Sequence, residues 1–274
     1  MTLIRIDATR CKRDGFCVIE CPAAIIKQAD KESVPQMIPQ GVQSCLRCGH
    51  CVAVCPHDAL DHEEIPMESS PKILKELMIN KEQAAQFLRT RRSIRRFKEK
   101  PVDRETLQAL IDTARYAPTG GNSQLLTWTV HTDKTKLKTV ADLTVEWMKA
   151  VLASDAGNQM PPYFSRFIDA YEAGIDSITQ GAPCLVVASA PAGYDNGIVD
   201  LSIALSYFEL MATASGLGTC WLGLITRALK NSEPLKEVIG LPDSHAHFYT
   251  MVIGYPKFKY FRLPERKPAT IVWK

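Results

Sequence analysis

Apolar residues recur at helical spacing in two stretches of the chain. The first stretch follows a candidate N-cap at Asp103, and the second ends shortly before Gly216. Residues three and four positions apart share one helix face, and glycine commonly stops a helix, so each stretch predicts an amphipathic helix. The apolar positions are Leu107, Leu110, Ile111 and Ala114 in the first stretch and Ile203, Ala204, Tyr207, Leu210, Met211 and Ala214 in the second.

Short apolar runs between and beyond these helices predict β-strands. They lie at Thr127–Thr132, Cys184–Ala190, Cys220–Ile225 and Phe248–Ile253. Strands and helices are interleaved, but the regular strand–helix–strand rhythm of a doubly wound parallel sheet is missing. The pattern therefore predicts an α+β fold for this part of the chain.

Residues 1–62 differ from the rest, because they hold seven of the nine cysteines and only short apolar runs. So short a segment buries a modest core and needs other cross-links, which inorganic clusters would supply. Residues 63–80 contain Pro66, Pro71 and a polar run, which is typical of a linker. We therefore expect a small cysteine-rich domain at 1–62, a linker at 63–80 and a second domain at 81–274.

Composition places the chain among globular proteins. Of its 274 residues, 46% are hydrophobic and 23% charged, which is enough apolar side chain for a core and excludes disordered and fibrous classes. The longest strongly apolar stretch, Cys184–Ala190, is far shorter than the roughly 20 residues of a membrane helix. Arg5 and Asp7 interrupt any secretory signal, and tight cysteine clusters outside secreted proteins are typical of metal or redox sites. We expect a cytoplasmic protein without a membrane partner.

The second group of cysteines has a spacing specific to iron–sulfur proteins. Cys45, Cys48, Cys51 and Cys55 follow one another with two, two and three residues between them, and Pro56 comes next. In bacterial ferredoxin motifs of this spacing, the fourth cysteine binds the other of two clusters. The motif therefore predicts two clusters that exchange their fourth ligands.

The first group repeats this frame with one substitution. Cys11, Cys17 and Cys21 keep the spacing, but Asp14 stands where the second cysteine would be. A carboxylate oxygen is a harder and weaker ligand for this iron than a thiolate, so we expect a four-iron cluster with a labile corner or a three-iron cluster here. The crossover rule assigns Cys45, Cys48, Cys51 and Cys21 to one 4Fe-4S cluster, and Cys11, Cys17, Cys55 and, where it ligates, Asp14 to the other.

Structural zinc sites are the alternative that also uses closely spaced cysteines. Such sites usually supply two ligands, leave a long gap and then supply two more. Three cysteines within seven residues, with a fourth before a proline, match one tetrahedral ion poorly. Iron–sulfur clusters are therefore the favoured interpretation.

An arginine-rich segment opens the second domain. Residues 89–100 hold seven basic residues and one acidic residue. Three interpretations stay open from composition: a solvated charged face, a nucleic-acid patch, or a phosphate clamp, because arginine forks and a serine hydroxyl suit a terminal phosphate. Downstream, residues 117–124 combine small residues that let a backbone approach a flat ligand with two amide side chains, a pattern shared by surface turns.

Together, these two segments resemble the nitroreductase family of FMN enzymes. The resemblance rests on residues 91–97 and 117–124, and it continues through residues 216–223, 253–256 and 266–268. Within the family, the chain is most similar to the branch with an N-terminal two-cluster ferredoxin domain. The resemblance implies an intertwined homodimer with FMN in the subunit interface.

The resemblance also implies roles for individual residues. No side chain is assigned as catalytic, since the flavin itself carries the electrons. Trp221, beside the implied flavin ring, is bulkier than the family pattern leads us to expect. The implied cofactor-binding residues are Arg91, Arg92, Ser93 and Arg95, joined by Arg266, at the phosphate and ribityl chain; Leu222 and Gly223 beside the ring, with a backbone N–H near its N5; and Pro118, Thr119, Gly120 and Asn122 from the partner subunit.

The cysteine motifs and the family resemblance together imply an oxidoreductase in which iron–sulfur clusters pass electrons to FMN. The resemblance also implies that FMN reduces an electron-poor organic acceptor, nitroaromatic or quinone-like. The expected donor is a one-electron carrier such as a ferredoxin or flavodoxin, or NAD(P)H. Two alternatives stay open: an NAD(P)H-dependent FMN reductase with auxiliary clusters, and a non-catalytic electron-transfer or redox-sensing protein. No nucleic-acid partner is expected, because phosphate contacts account for the basic run.

Overall fold

The computed structural model describes residues 3–154 and 163–274. The chain divides into two compact units. The first unit runs to Ile79 and also contains Gly120–Ser123, and the second holds the other residues from Asn80 onward. The predicted α+β fold class is confirmed, because helices and antiparallel sheets are mixed along the chain.

The first unit contains β1 (Ile4–Ile6), α1 (Phe16–Glu20), β2 (Ile26–Lys27), β3 (Gln36–Met37), α2 (Gly41–Ser44), α3 (His50–Ala53) and β4 (Leu60–His62). Strand β1 pairs antiparallel with β4, and β2 pairs antiparallel with β3. The small buried core includes the side chains of Cys17 and Cys51. Cysteine ligands and apolar core therefore share the same interior.

The segment expected as a linker, residues 63–80, belongs to this unit as far as Ile79. It forms two 3₁₀ turns, Met67–Ser69 and Lys75–Leu77. The backbone N–H of Met67 donates to Asp61 Oδ1 at 2.9 Å, which attaches the first turn to strand β4. The linker therefore begins as an ordered extension of the cysteine-rich region.

The two cysteine motifs fold with the same backbone. Arg13 and Arg47, at matching positions, both adopt left-handed backbone with φ of 59° and 51°. Gly15 and Gly49 follow with φ of 75° and 73° and serve as the N-caps of α1 and α3. Left-handed backbone is uncommon for a residue other than glycine, and its repetition shows that the loop shape is imposed by the motif in both copies.

The second unit contains α4 (Lys81–Thr90), α5 (Arg104–Ala114), β5 (Thr127–His131), α6 (Lys134–Ala153), α7 (Tyr163–Glu172), β6 (Cys184–Pro191), α8 (Gly197–Ala214), β7 (Gly218–Trp221), α9 (Gly223–Asn231), α10 (Glu233–Ile239) and β8 (His245–Gly254). Its four strands form one antiparallel sheet in the order β5-β6-β8-β7.

Helices cover both faces of this sheet. Along β6, Leu185 and Val187 face a core that includes residues of α6, α9 and α10. Cys184, Val186 and Ala188 face the opposite core, which includes residues of α5 and α8. Because side chains of a strand alternate between faces, a strand buried on both faces has a continuous apolar sequence, as this run does.

Both helices predicted from apolar spacing are confirmed. Asp103 caps α5, since its Oδ1 accepts the backbone N–H of Thr106 at 2.7 Å. Helix α8 ends at Ala214, and Gly216 follows with a left-handed φ of 73°. The helix begins at Gly197, several residues before the predicted apolar face, because its first turn is also apolar.

The predicted strand Cys220–Ile225 is wrong in its second half. Strand β7 ends at Trp221, and helix α9 starts at Gly223. Ile225 lies in this first helical turn and is completely buried. A buried helix start has the same apolar sequence as a buried strand, so the pattern alone did not separate the two.

Helix α8 is the one helix among the described residues that is long and apolar enough to cross a membrane, with a mean hydropathy of 1.3. Its inner side packs in the core beside the sheet, where Leu201, Leu205 and Phe208 are fully buried. Its outer side leaves Val199 and Tyr207 exposed. The helix is therefore a core helix with an additional apolar outer stripe.

Candidate functional site

The cysteines of the first unit gather around two cavities of similar size. One, with about 340 Å³ of free space, is lined by Cys21, Cys45, Cys48 and Cys51. The other, of about 320 Å³, is lined by Cys11, Asp14, Cys17 and Cys55. Each cavity takes one cysteine from the other motif, which is the grouping expected from the crossover rule. Their role as iron ligands stays a prediction.

These thiols surround a space and do not converge on a point. Among residues 3–154 and 163–274, no three His, Cys, Asp or Glu side chains lie close enough to hold a single metal ion. A cluster has several irons, each with its own thiolate, and suits such a spread arrangement. Burial raises the pKa of Cys17 and of Cys51 to about 11, so iron binding must release their protons.

Asp14 faces the second cavity with both carboxylate oxygens already in contact with neighbours. Oδ1 accepts the backbone N–H of Phe16 at 3.2 Å. Oδ2 lies 3.2 Å from Nε2 of His57, which lines the same cavity. The carboxylate is therefore oriented by the protein at the wall of this cavity, and its role as an iron ligand stays a prediction.

The arginine segment of the second unit joins the sheet beside β7. Ser93 forms a parallel bridge with Thr219, and the backbone N–H of Ile94 donates to the carbonyl of Thr219 at 2.8 Å. Gly218 permits this approach, because a Cβ at that position would lie 2.3 Å from Ile94 Cγ1. The fold thereby brings the predicted phosphate-binding residues to the strand that leads into Leu222 and Gly223.

A buried carboxylate connects these two parts of the predicted flavin site. Glu209 on α8 is only 5% exposed. Its Oε1 accepts Arg91 Nη1 at 3.1 Å and Thr219 Oγ1 at 2.9 Å, and its Oε2 accepts Trp221 Nε1 at 3.1 Å. Edge-on packing against Tyr249, with ring centroids 5.1 Å apart, holds the other side of the Trp221 indole.

Arg92 has an unsatisfied donor. Its Nη1 and Nη2 donate to the backbone carbonyls of Arg91 and Arg89 at 2.7 and 3.1 Å. Its Nε is buried and finds no acceptor among the described residues. Buried donors are nearly always satisfied in folded proteins, so this atom indicates a missing acceptor, and a phosphate oxygen of a bound cofactor fits that need.

Leu222 and Gly223 differ in what their backbone offers a flavin. The Leu222 N–H donates to the carbonyl of Thr250 at 2.9 Å and is therefore already used. Gly223 is the first residue of α9, where a backbone N–H has no acceptor within the helix. A Cβ on Gly223 would lie 3.0 Å from the Tyr249 hydroxyl. Gly223 is therefore the better candidate for the N–H expected near flavin N5.

The remaining predicted arginines are placed differently. Arg95 is exposed, and its charge partly opposes the effect of burial, which raises the pKa of Cys220 on β7. Arg266 is exposed in the C-terminal segment and makes no hydrogen bond or ion pair with residues 89–100 in the described part of the chain. The structure therefore brings the segment Arg91–Ser93 to β7, and the role of Arg266 stays a prediction.

The loop predicted to serve the partner subunit is divided between the two compact units. Pro118 and Thr119 end the first stretch of the second unit, and Thr119 Oγ1 accepts the N–H of Gln124 at 3.1 Å. Gly120 begins a 3₁₀ turn that is grouped with the first unit. There, Asn122 Nδ2 donates to the carbonyls of Leu46 and Arg47 at 3.1 and 2.8 Å. Both contacts use the amide nitrogen of Asn122 and orient its side chain.

Sequence reasoning missed three side chains that organise these sites. Two of them, Glu209 and Tyr249, lie on elements outside the sequence motifs of the predicted flavin site. The third, His62, follows the second cysteine motif but is not part of it. A carboxylate in the middle of an apolar helix face was a usable signal for Glu209, because a buried charge is nearly always paired. Tyr249 carried no such signal, since alternate positions of a strand are often aromatic.

The chain is similar to two known families in two separate regions. Residues 88–255 match the nitroreductase family, and residues 3–56 match a 4Fe-4S dicluster domain. A protein of Archaeoglobus fulgidus described as an NADH dehydrogenase/NAD(P)H nitroreductase is 26% identical over 180 residues, covering 64% of this chain and 87% of that protein. An FMN reductase (NAD(P)H) of Bacillus subtilis is 29% identical over 176 residues, covering 60% of this chain and 62% of that protein.

Solved structures share the same fold. A nitroreductase with bound FMN from Desulfitobacterium hafniense superposes with a TM-score of 0.57 at 23% identity, over 71% of this chain and 100% of that one. A nitroreductase with bound FMN from Bacteroides fragilis gives a TM-score of 0.55 at 21% identity, over 71% of this chain and 100% of that one. At these identities, the likeness shows the fold.

Proposed function

The chain belongs to the nitroreductase family and carries a 4Fe-4S dicluster domain, and from this premise we propose that it passes electrons from iron–sulfur clusters to FMN and on to an electron-poor organic acceptor. A nitroaromatic or quinone-like compound is the proposed acceptor class. A ferredoxin- or flavodoxin-type carrier is the proposed donor. The proposal treats the chain as an FMN- and iron–sulfur-dependent oxidoreductase of the reducing cytoplasm, where free thiols persist.

One observation carries this proposal: a complete set of potential cluster ligands lines each of two cavities, in a chain whose other unit is a flavoenzyme fold. When bound, iron–sulfur clusters exchange single electrons and FMN exchanges one or two, so the pair can convert a one-electron supply into two-electron reduction. The protein's own contribution is to position these groups and to place hydrogen-bond donors and positive charge beside their negative charges.

In the proposed flavin site, the chain's residues divide into three tasks. Arg92 and Ser93 supply donors to the phosphate, with the buried Arg92 Nε as the strongest support. Arg91 adds positive charge while Glu209 holds its guanidinium in place. Gly223 offers its backbone N–H beside the ring. Donors placed near a flavin stabilise the negative charge that it gains on reduction.

For the cavity with Asp14, we propose a cluster whose fourth corner is labile. Asp14 supplies an oxygen where the other motif supplies Cys48. The contact with His57 Nε2 competes with iron for Oδ2, which weakens this corner further. Loss of that iron would leave a three-iron cluster held by Cys11, Cys17 and Cys55.

A homodimer completes the proposed site. The outer stripe of α8 exposes Ile198, Val199 and Tyr207, with 42%, 54% and 41% of their surface accessible. Apolar stripes of this kind on a core helix are typical of protein interfaces. In the proposed dimer, the loop with Asn122 contributes to the site of the second copy.

A second candidate function is an NAD(P)H-dependent FMN reductase in which the clusters are auxiliary. The names of both curated relatives include NAD(P)H, which favours this alternative. Anaerobic stopped-flow absorbance of the intact protein separates the two candidates. Under the first proposal, a reduced ferredoxin bleaches the cluster bands before the flavin band. Flavin bleaching by NADPH with unchanged cluster bands, and no response to reduced ferredoxin, would favour the second.

A further inference from the structure

His62 lies in the cavity lined by Cys21, Cys45, Cys48 and Cys51. It is 1% exposed, and its Nε2 is 3.6 Å from Cys45 Sγ. As the last residue of β4, it points to the same side of the strand as the buried Leu60. It stands outside the cysteine motif, on a strand that pairs with β1, where Ile4 is its register partner.

The other ring nitrogen determines which hydrogen bond His62 makes to this thiol. The backbone N–H of Glu64 donates to His62 Nδ1 at 3.1 Å. A nitrogen that accepts a hydrogen bond carries no proton, so the proton of the neutral ring must be on Nε2. The Nε2–H therefore points at Cys45 Sγ and donates to it.

The repeated motif provides an internal comparison. Gln28 and His62 are each the seventh residue after the last cysteine of their motif. Gln28 Nε2 donates to the backbone carbonyls of Arg13 and Ser33 at 3.2 and 2.9 Å, so its donors do not reach Cys11. Among the residues that the structure describes, His62 thus contacts a thiol of its cavity, whereas the donors of Gln28 go to backbone carbonyls.

We propose that His62 is a positioning and tuning residue that raises the reduction potential of the cluster bound by Cys21, Cys45, Cys48 and Cys51. This inference rests on the proposed assignment of those cysteines to one cluster. A hydrogen bond to a ligand sulfur withdraws negative charge from the cluster and stabilises the state with the extra electron. His62 thus makes this cluster a better electron acceptor than its four thiolates alone would.

The test is a redox titration of the holoprotein followed by electron paramagnetic resonance. His62→Leu removes the ring donor at a similar side-chain volume, and His50→Gln is the control, because His50 lines the same cavity but is exposed. We expect the His62→Leu protein to keep its iron. The equilibrium constant for reduction of this cluster should be tenfold smaller than in the wild type, which corresponds to a reduction potential lower by about 59 mV for one electron. The other cluster and His50→Gln should match the wild type.

An iron-replete His62→Leu protein with the wild-type potential would overturn the proposal. If this variant loses its cluster, the proposal is tested instead on the His50→Gln protein labelled with ¹⁵N-histidine. With His50 replaced, His62 is the labelled histidine that lines this cavity among the described residues. The reduced cluster of this protein should show a ¹⁵N coupling, and the absence of that coupling overturns the inference. A wild-type protein without a 4Fe-4S signal contradicts the cluster assignment itself, so the two failures are distinguishable.

Discussion

Arg91 Nη1 and Glu209 Oε1 form a 3.1 Å ion pair beneath the predicted flavin site, with the Glu209 side chain only 7% exposed. The same carboxylate accepts hydrogen bonds from Thr219 and Trp221 on β7. One acidic residue therefore links the arginine segment to the strand that precedes Gly223. It also fixes the Trp221 indole against α8, which explains how a bulky residue is accommodated at this position.

Replacing Glu209 should weaken FMN binding as well as stability. Glu209→Ala leaves the Arg91 guanidinium without its partner and removes the acceptor of two further donors. Loss of one member of a buried pair costs on the order of 3 kcal/mol in the free energy of unfolding. We expect a lower melting temperature. We also expect an FMN dissociation constant at least tenfold larger than that of the wild type, measured by flavin fluorescence.

Glu146→Gln is the matched control, since Glu146 is exposed on α6. This variant should bind FMN as the wild type does. Glu209→Gln keeps the shape and one acceptor, so its effect should lie between those of the control and Glu209→Ala. A Glu209→Ala protein that binds FMN with unchanged affinity would show that the carboxylate has no part in the flavin site.

Gly223 should tolerate no side chain in the flavin-bound protein. A Cβ there would lie 3.0 Å from the Tyr249 hydroxyl and would cover the N–H proposed to face the ring. We expect Gly223→Ala to weaken FMN binding, as followed by flavin release on dilution. Adding Tyr249→Phe removes the close hydroxyl contact and should restore stability but little of the FMN affinity. Full recovery of FMN affinity in the double variant would assign the whole effect to the steric contact.

Asp14→Cys should convert the labile cluster into a stable one. A fourth thiolate is a stronger ligand than the carboxylate and removes the contact with His57. On exposure to air, we expect the wild type to develop the signal of a three-iron cluster in electron paramagnetic resonance, and Asp14→Cys to lack it. Glu20→Gln, an exposed acidic residue on α1, serves as the control. Equal rates of conversion in Asp14→Cys and the wild type would contradict a special role for this corner.

A charge on the outer stripe of α8 should separate the proposed dimer. Val199 is 54% exposed in the single chain, so Val199→Glu leaves the buried side of the helix unchanged. We expect a monomer with native secondary structure that has lost most of its FMN, measured by light scattering and flavin absorbance. A flavin-loaded Val199→Glu monomer would show that one chain forms the whole site.

The grouping of the cysteines around two cavities was predictable because the spacing of their motifs is local in the sequence. Asp103 as a helix cap was predictable for the same reason. The phosphate-binding role of the arginine segment stays a prediction. Glu209 and His62 reach Arg91 and Cys45 only after helix α8 and strand β4 have packed in place. The boundary between β7 and α9 was predicted wrongly. Leu222 and Ile225 are buried and apolar, and a buried strand and a buried helix start share this pattern.

An anaerobic dithionite titration tests the central claim most directly, with visible absorbance recorded and electrons counted per chain. If clusters and flavin work in one chain, uptake exceeds what one flavin can hold, and the iron–sulfur bands bleach together with the flavin band. Uptake that matches the flavin alone, with no bleaching of iron–sulfur bands, would contradict the proposed transfer from clusters to FMN.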